Sequence, residues 1–363
     1  MKKLLILLLI PFLSFSQELF NSQSIYDGVG ELYDWGELRD VNISFYDSNY
    51  DEFLIQSWLE NTKLTLPASL EIDGLFFDSV AVRYKGNSTF YIPFSLGNPK
   101  KPYNIDFNDY DSNQNLMGYN KLKLANSLFD PTCRKEILGY SIYKNYLPSP
   151  EANFMNLYVN DDLLGLYINT EAINTSFLDK HFGESNGVFF KCENQDLFGV
   201  SGGSLTPNLD YRGMDSTLYV ESYELKSESG FKELMDMIYT LNNDIENIEN
   251  HLNVDRVLWY LAVNSCILNA DTYSLVNVRN YYMYQTQNGQ FQIIPWDVSE
   301  SFIGALTFWW GDVENLHEAS PYFGYDPYIE DRPLIYNLLQ NDLYRKIYDS
   351  HIRTIMNDFI NTG

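Results

Sequence analysis

The hydrophobic pattern of this chain changes its period near the middle. From residue 40 to about residue 124, apolar and polar residues mostly alternate, which is typical of β-strands with one buried face. Two apolar runs meet at Asp73-Gly74, a dipeptide that favours a tight hairpin turn, and a later pair meets at residues 160–162. The first half is therefore predicted to be rich in strands.

Helical spacing of the apolar residues dominates after about residue 171. One hairpin interrupts this helical part and turns at Asn288-Gly289. The first half contains one clear helical pattern of its own, over residues 133–147. In the second half, helices are predicted over residues 174–182, 230–243 and 254–268, and again from residue 333 onward.

These patterns predict an α+β fold with two lobes. The strand-rich N-terminal lobe would cover residues 17–170 and the helix-rich C-terminal lobe residues 171–363. The change of pattern near Glu171 predicts that a cleft lies there, between the lobes. Two unconnected domains or a closed β-barrel would contradict this expectation.

The first sixteen residues are predicted to be a secretory signal peptide. Two lysines precede the apolar run Leu4–Leu13, and small serines occupy positions −3 and −1 relative to a cut before Gln17. No later stretch reaches the roughly 18 consecutive apolar residues that a membrane-spanning helix needs. We therefore expect export to the cell surface, the periplasm or the medium, without a spanning segment.

The charge of the chain excludes some partners and makes its cations informative. Only 24 Lys and Arg residues stand against 49 Asp and Glu residues, so the formal net charge is −25. Such a charge repels nucleic acid and anionic membranes. The three cysteines and four histidines are too scattered for a zinc site. A single acid in this chain is therefore weak evidence of a functional site, whereas the position of each cation is more informative.

Two acids end apolar segments that lie close together in the sequence. Asp271 follows the run that begins at Cys266, and Asp297 follows Ile293–Trp296 at the end of the predicted hairpin. Phosphoryl transfer by kinases needs an Asp near the attacking hydroxyl and an Asn and an Asp as metal ligands, and Asn280 supplies the amide. Magnesium prefers such oxygen donors. Each acid alone fits an ordinary solvated side chain better, and only the two together, with their apolar supports, make the two interpretations equal.

Phosphate groups also need counter-charges. Arg83 and Lys85 are two apart on one predicted strand and so share a face. Lys101 opens the next strand segment, and Arg134 lies in the first turn of a predicted helix. Each cation alone could be an ordinary surface group. We nevertheless expect Arg83, Lys101 and Arg134 to converge on one cleft that faces Asp297.

Six segments in order resemble the motifs of the spore-coat CotH kinase family, over a span from about residue 40 to the end of the chain. They are RYKGNSTF, NPKKPYNIDF, the helix at Arg134, NLYVNDDLLGLYINTEAIN, NADTY with RNYYMY, and FQIIPWDVSESFIG. The family has an atypical protein-kinase-like fold and phosphorylates protein serines with ATP and a divalent metal. The resemblance therefore implies ATP and Mg²⁺ or Mn²⁺ as cofactors and a protein with a phosphorylatable serine as partner.

The resemblance also implies roles for individual residues. Asp271 matches the catalytic aspartate, Asp297 matches the metal-binding aspartate, and Asn280 would be a second metal ligand. Glu171 falls where the crossover between the halves resembles a kinase hinge. The basic positions assigned to phosphate contact are Arg83, Lys85, Lys101 and Arg134.

The chain departs from the family pattern in three places. The usual DxD of the PWD motif is here Asp297-Val298-Ser299, and Glu300 is a candidate replacement for the missing acid. The loop from Asp271 to Asn280 is longer than expected, and Lys85 replaces an arginine, which removes the bidentate fork.

These departures leave alternatives open. One is a catalytically silent relative that uses the same cleft to bind or to scaffold, for example in a cell-surface or polysaccharide-handling assembly. Another is a glycosidase with Asp271 and Asp297 as its carboxylate pair, but that function leaves the ordered cations unexplained.

Overall fold

A computed structural model describes residues 25–193, 206–269, 271–274, 278–304, 320–322 and 332–360. The predicted signal peptide lies outside these residues. In the first half the strands are β1 (Arg39–Phe45), β2 (Leu66–Ile72), β3 (Leu75–Tyr84), β4 (Tyr103–Asp106), β5 (Lys121–Ala125), β6 (Ala152–Val159) and β7 (Asp162–Thr170). The helices there are α1 (Tyr50–Leu59), α2 (Ser88–Ser95) and α3 (Lys135–Tyr143).

Helices are more prominent in the second half. The helices are α4 (Thr175–Phe182), α5 (Phe231–Asn243), α6 (Val254–Cys266), α7 (Pro333–Leu339) and α8 (Asp342–Ile355), which continues as a π-helical turn over Met356–Ile360. The strands are β8 (Phe189–Cys192), β9 (Tyr223–Leu225), β10 (Tyr281–Gln285) and β11 (Phe291–Pro295). No helix in the described part of the chain has the length and apolar character needed to cross a bilayer.

The first seven strands form a closed barrel in the order β1-β2-β3-β4-β5-β7-β6. Closure comes from β1, which pairs antiparallel with β2 and parallel with β6, from Arg39↔Met155 to Ile43↔Val159. The mixture of strands and helices is as predicted, but the expectation that no closed barrel forms is wrong. Alternation predicts each strand separately, whereas closure depends on a pairing between strands that are far apart in the sequence.

Two helices of the first half, α1 and α2, were not predicted. The α2 segment is rich in aromatic residues and contains Pro93, both of which disfavour a helix when the sequence is considered alone. Packing stabilises it nevertheless, because Phe90 of α2 is fully buried and stacks on Trp58 of α1 with ring centroids 4.2 Å apart. Tertiary contact therefore overrides local propensity here.

A second, antiparallel sheet runs in the order β11-β10-β8-β9 and has helices on both faces. Alternate residues of β10 divide between the faces: Tyr281 and Met283 join the core of α5 and α6, whereas Tyr282 and Tyr284 join a smaller cluster with α4. Helix α3 belongs to the larger core although it lies in the first half of the sequence. It therefore links the barrel to the second sheet.

A buried ion-pair network fixes the crossover between the two halves. The Lys180 ammonium on α4 lies 2.7 Å from a Glu151 carboxylate oxygen and 3.2 Å from one of Glu171. It also contacts the Tyr119 hydroxyl at 3.1 Å. Burial raises the pKa of Glu171 to about 7 against the opposing effect of Lys180. Glu171 is thus a structural partner at the crossover.

We expect Lys180→Met to lower the free energy of unfolding by about 3–5 kcal/mol, because it leaves two buried carboxylates without their cation. Denaturant unfolding at neutral pH measures this. The matched control is Lys232→Met, whose ammonium is exposed and pairs with Asp236 one helical turn away. Equal stability of the two variants would contradict the structural role of the network.

Candidate functional site

A cleft of about 520 Å³ lies between the barrel and the second sheet. Its walls come from the ends of β3 and β5, the turn that leads into α2, the start of α3 and the ends of β8, β10 and β11. Of the eight residues predicted from the sequence, five line it: Arg83, Lys85, Asp271, Asn280 and Asp297.

The β10–β11 hairpin brings Asn280 and Asp297 side by side. Tyr281 is paired with Pro295, and the Trp296 amide donates to the Asn280 carbonyl at 3.2 Å. Asn280 and Asp297 both adopt left-handed backbone conformations, with φ of 63° and 49°. Asn and Asp tolerate this conformation better than most residues. Asn280 and Asp297 therefore lie next to each other on the cleft wall, each at the end of its strand.

Asp271 is held in one orientation by its neighbours. Arg279 donates two hydrogen bonds to the Asp271 carboxylate, from Nε to Oδ1 at 2.9 Å and from Nη2 to Oδ2 at 2.7 Å. The side-chain nitrogen Nδ2 of Asn280 donates to the backbone carbonyl of Asp271 at 2.7 Å and to its Oδ2 at 3.0 Å. Sequence reasoning missed Arg279, although its place directly before Asn280 in RNYYMY was a usable signal. Such a bidentate pair fixes the carboxylate geometrically.

The oxygen atoms of Asn280 and Asp297 suit a divalent cation that also binds oxygen atoms of a ligand. The Asn280 amide nitrogen points at Asp271, so the amide oxygen is the atom that a cation would use. Asp297 contributes a carboxylate, one oxygen of which accepts a 2.7 Å bond from the Ser299 hydroxyl. The described residues contain no group of three or more His, Cys, Asp or Glu side chains placed to hold a metal alone. Mg²⁺ typically takes one or two carboxylates and completes its shell with water and phosphate oxygens, which this set allows.

Cations form a row across the barrel strands that face these acids. Arg83 on β3 is paired with Asn104 on β4, which is paired with Lys123 on β5, so the three share one face. Burial, together with Lys85 and Lys191, holds the pKa of Lys123 well below its usual range. Its ammonium lies 4.3 Å from the centre of the Trp296 ring. Sequence reasoning missed Lys123 because its place in the row depends on strand register.

A carboxyl group on α3 also lines the cleft. Glu136 accepts a 2.6 Å bond from the Thr170 hydroxyl. Burial and the nearby charge of Asp297 raise its pKa to about 7, while Lys85 acts in the opposite direction. Glu136 was not predicted, and in the sequence it is one acid among many. Lys85, Glu136 and Asp297 line the same cleft, where their charges act on one another.

Three predicted residues do not line the cleft. Lys101 is buried against Asp51 of α1, with ammonium and carboxylate oxygen 2.9 Å apart. Arg134 caps α3, and its backbone amide donates to Asp130. Glu171 belongs to the network around Lys180. The expected convergence is therefore wrong for Lys101 and Arg134. Lys101 pairs with Asp51 on α1, a helix that was not predicted. Arg134 is the N-cap residue of α3 and does not line the cleft.

Two comparisons with known proteins relate this chain to one family. A family model described as CotH kinase protein matches residues 82–363, which include every cleft residue discussed above. The chain is also 25% identical over 258 residues to the inner spore coat protein H of Bacillus subtilis (strain 168). That alignment covers 69% of this chain and 65% of the relative, so the chain spans about two thirds of the relative's length.

We expect a polyanion to bind the cationic row with net uptake of protons. Burial and the like charges of Lys85 and Lys191 depress the pKa of Lys123. A bound polyanion offsets the like charges, so that pKa rises and the lysine gains protons at a pH below its usual titration range. Titration calorimetry with inorganic triphosphate, in two buffers of different ionisation enthalpy, measures the uptake.

Lys123→Met should remove most of this proton uptake. Lys121→Met is the matched control, since Lys121 lies on the same strand but is paired with Asp106. The expectation fails if wild type and Lys123→Met take up the same number of protons.

Proposed function

The chain belongs to the CotH kinase protein family, and on that premise we propose that it transfers the γ-phosphate of ATP to serine side chains of a protein. The observation that carries this proposal is the opposition of two charge sets across one cleft. A row of barrel cations faces two acids, Asp271 in the segment between α6 and β10 and Asp297 directly after β11. Phosphoryl transfer needs both sets, because catalysis consists mainly of positioning and charge stabilisation.

Arg83, Lys85 and Lys123 would bind the triphosphate. They are concentrated in the cleft of a chain with a net charge of −25, and burial lowers the pKa of both Lys85 and Lys123. A closed barrel was not expected in a two-lobed fold. The cleft between the barrel and the second sheet nevertheless supports the further proposal that the two parts act as the lobes of the kinase, with a boundary near residue 170.

Asp297 and the amide oxygen of Asn280 would hold Mg²⁺ or Mn²⁺. When bound, the metal neutralises the charge on the β- and γ-phosphate oxygens. Asp271 would orient the serine hydroxyl and accept its proton as the serine oxygen bonds to the γ-phosphorus and the bond from that phosphorus to the departing ADP oxygen breaks. Arg279 holds Asp271 in a fixed orientation before the substrate arrives, which lowers the cost of ordering the site.

We also propose that the protein acts outside the cytoplasm. The predicted signal peptide supports export, and the name of the Bacillus subtilis relative places that protein in a spore coat. A silent binding module is the second candidate. The observation in its favour is Ser299, which stands where the family has a second acid and whose hydroxyl binds Asp297.

The two aspartates should respond differently to substitution. Asp297→Ala should weaken binding of ATP with Mg²⁺ by at least about tenfold, because it removes the carboxylate that holds the metal. Asp271→Ala should leave that binding nearly unchanged and reduce phosphoryl transfer by roughly 100-fold or more, because the Asp271 carboxylate acts only as the reaction proceeds. Calorimetry measures binding, and radiolabel transfer to the protein itself and to secreted proteins of the source cell measures the reaction.

The exposed acid Glu37, outside the cleft, provides the control variant Glu37→Ala. Equal loss of binding in both cleft variants would contradict the separate roles. Wild-type protein that binds ATP with Mg²⁺ yet transfers nothing would favour the silent module.

A further inference from the structure

Helix α3 holds the backbone on which Asp297 stands. The Asp297 amide donates to the Tyr140 hydroxyl at 3.0 Å. This amide lies just beyond the β10–β11 ladder, whose last contact is the bond from the Trp296 amide to the Asn280 carbonyl. Tyr140 therefore extends the backbone hydrogen bonding by one residue, at the point where the metal-binding aspartate departs from the sheet.

The same helix contacts the segment after Asp297 twice more. A Cβ atom at Gly139 would lie 2.8 Å from a methyl group of Val298, so the helix can approach only because this residue is a glycine. One turn earlier, the Lys135 ammonium donates to the Ile303 carbonyl at 3.0 Å. The helix thus supports this segment along its length.

The supported segment has an unfavourable backbone. The φ angles of Asp297, Phe302 and Ile303 are 49°, 55° and 62°, in the left-handed region. This region is costly for bulky and β-branched side chains and persists only where the surroundings enforce it. The contacts to α3 are part of the surroundings that hold this backbone, together with the bond from the Phe302 amide to the Ile267 carbonyl at 2.6 Å.

We propose that Tyr140 is a positioning residue for the metal site: its hydroxyl fixes the Asp297 backbone so that the carboxylate faces Asn280. The proposal rests on the proposed function, because it assumes that Asp297 binds the metal. Tyr140 is 1% exposed, and its ring belongs to the core of the second half, so phenylalanine would fill the same space. Its hydroxyl is therefore the group whose role requires explanation.

The test compares two conservative variants of the same helix. Tyr140→Phe removes the acceptor of the Asp297 amide and keeps the ring. Tyr143→Phe is the control, because Tyr143 is also fully buried on α3 and its hydroxyl lies 3.5 Å from the Tyr260 carbonyl, away from Asp297. Mn²⁺ affinity in the presence of saturating ATP, measured by electron paramagnetic resonance of the free ion, is the main readout. Affinity for metal-free triphosphate and the unfolding midpoint are the others.

We expect Tyr140→Phe to weaken Mn²⁺ binding roughly tenfold, as loss of groups that support metal ligands usually does. Affinity for metal-free triphosphate should stay at the wild-type value, and Tyr143→Phe should match the wild type throughout. Gly139→Ala should weaken Mn²⁺ binding in the same direction, because its methyl group displaces Val298 next to Asp297.

Two results would overturn the positioning role. One is equal Mn²⁺ affinity in wild type and Tyr140→Phe. The other is a parallel loss of Mn²⁺ and triphosphate affinity, which would indicate a general structural role. If the wild type binds triphosphate but takes up no Mn²⁺ with ATP, the proposed function fails as well. If wild type and Tyr140→Phe both bind Mn²⁺ with equal affinity, only the positioning role fails.

Discussion

Like charges held together in a poorly solvated place are unfavourable unless a ligand of opposite charge is bound there. The cleft of this protein holds Arg83, Lys85 and Lys123 in that way, although acids outnumber cations two to one in the chain as a whole. Glu136 and Asp297 offset part of the charge on Lys85, but burial still holds the pKa of that lysine below its usual range. The arrangement is suited to a phosphate-bearing ligand, and the rest of the site is organised around that ligand.

The opposite wall supplies the acids, and it is rigid for separate reasons. The β10–β11 hairpin sets the distance between Asn280 and Asp297, Arg279 fixes Asp271, and α3 supports the strained backbone after β11. These supports come from distant parts of the chain, so the site requires the complete fold. Because α3 packs with the second core while the cations stand on the barrel, its position couples the two walls of the cleft.

The sequence predicted those parts of the site that depend on local pattern. The hairpin with its two oxygen donors follows from apolar runs around Asn288-Gly289, and strand parity pairs Arg83 with Lys85. Parts that depend on pairing between distant strands could not be read in this way. Lys123 joins Arg83 only through the register of β3, β4 and β5, and the barrel closes only through the pairing of β1 with β6. Lys101 was misplaced because its partner Asp51 lies on α1, a helix that was not predicted.

A crystal structure of the protein with a non-hydrolysable ATP analogue and Mn²⁺, with the metal located by its anomalous scattering, tests directly whether this cleft binds the nucleotide. We expect the triphosphate to contact Arg83, Lys85 and Lys123, and the anomalous peak to lie between its oxygens and the side chains of Asp297 and Asn280. A nucleotide bound outside this cleft, or a metal remote from Asp297, would contradict this expectation.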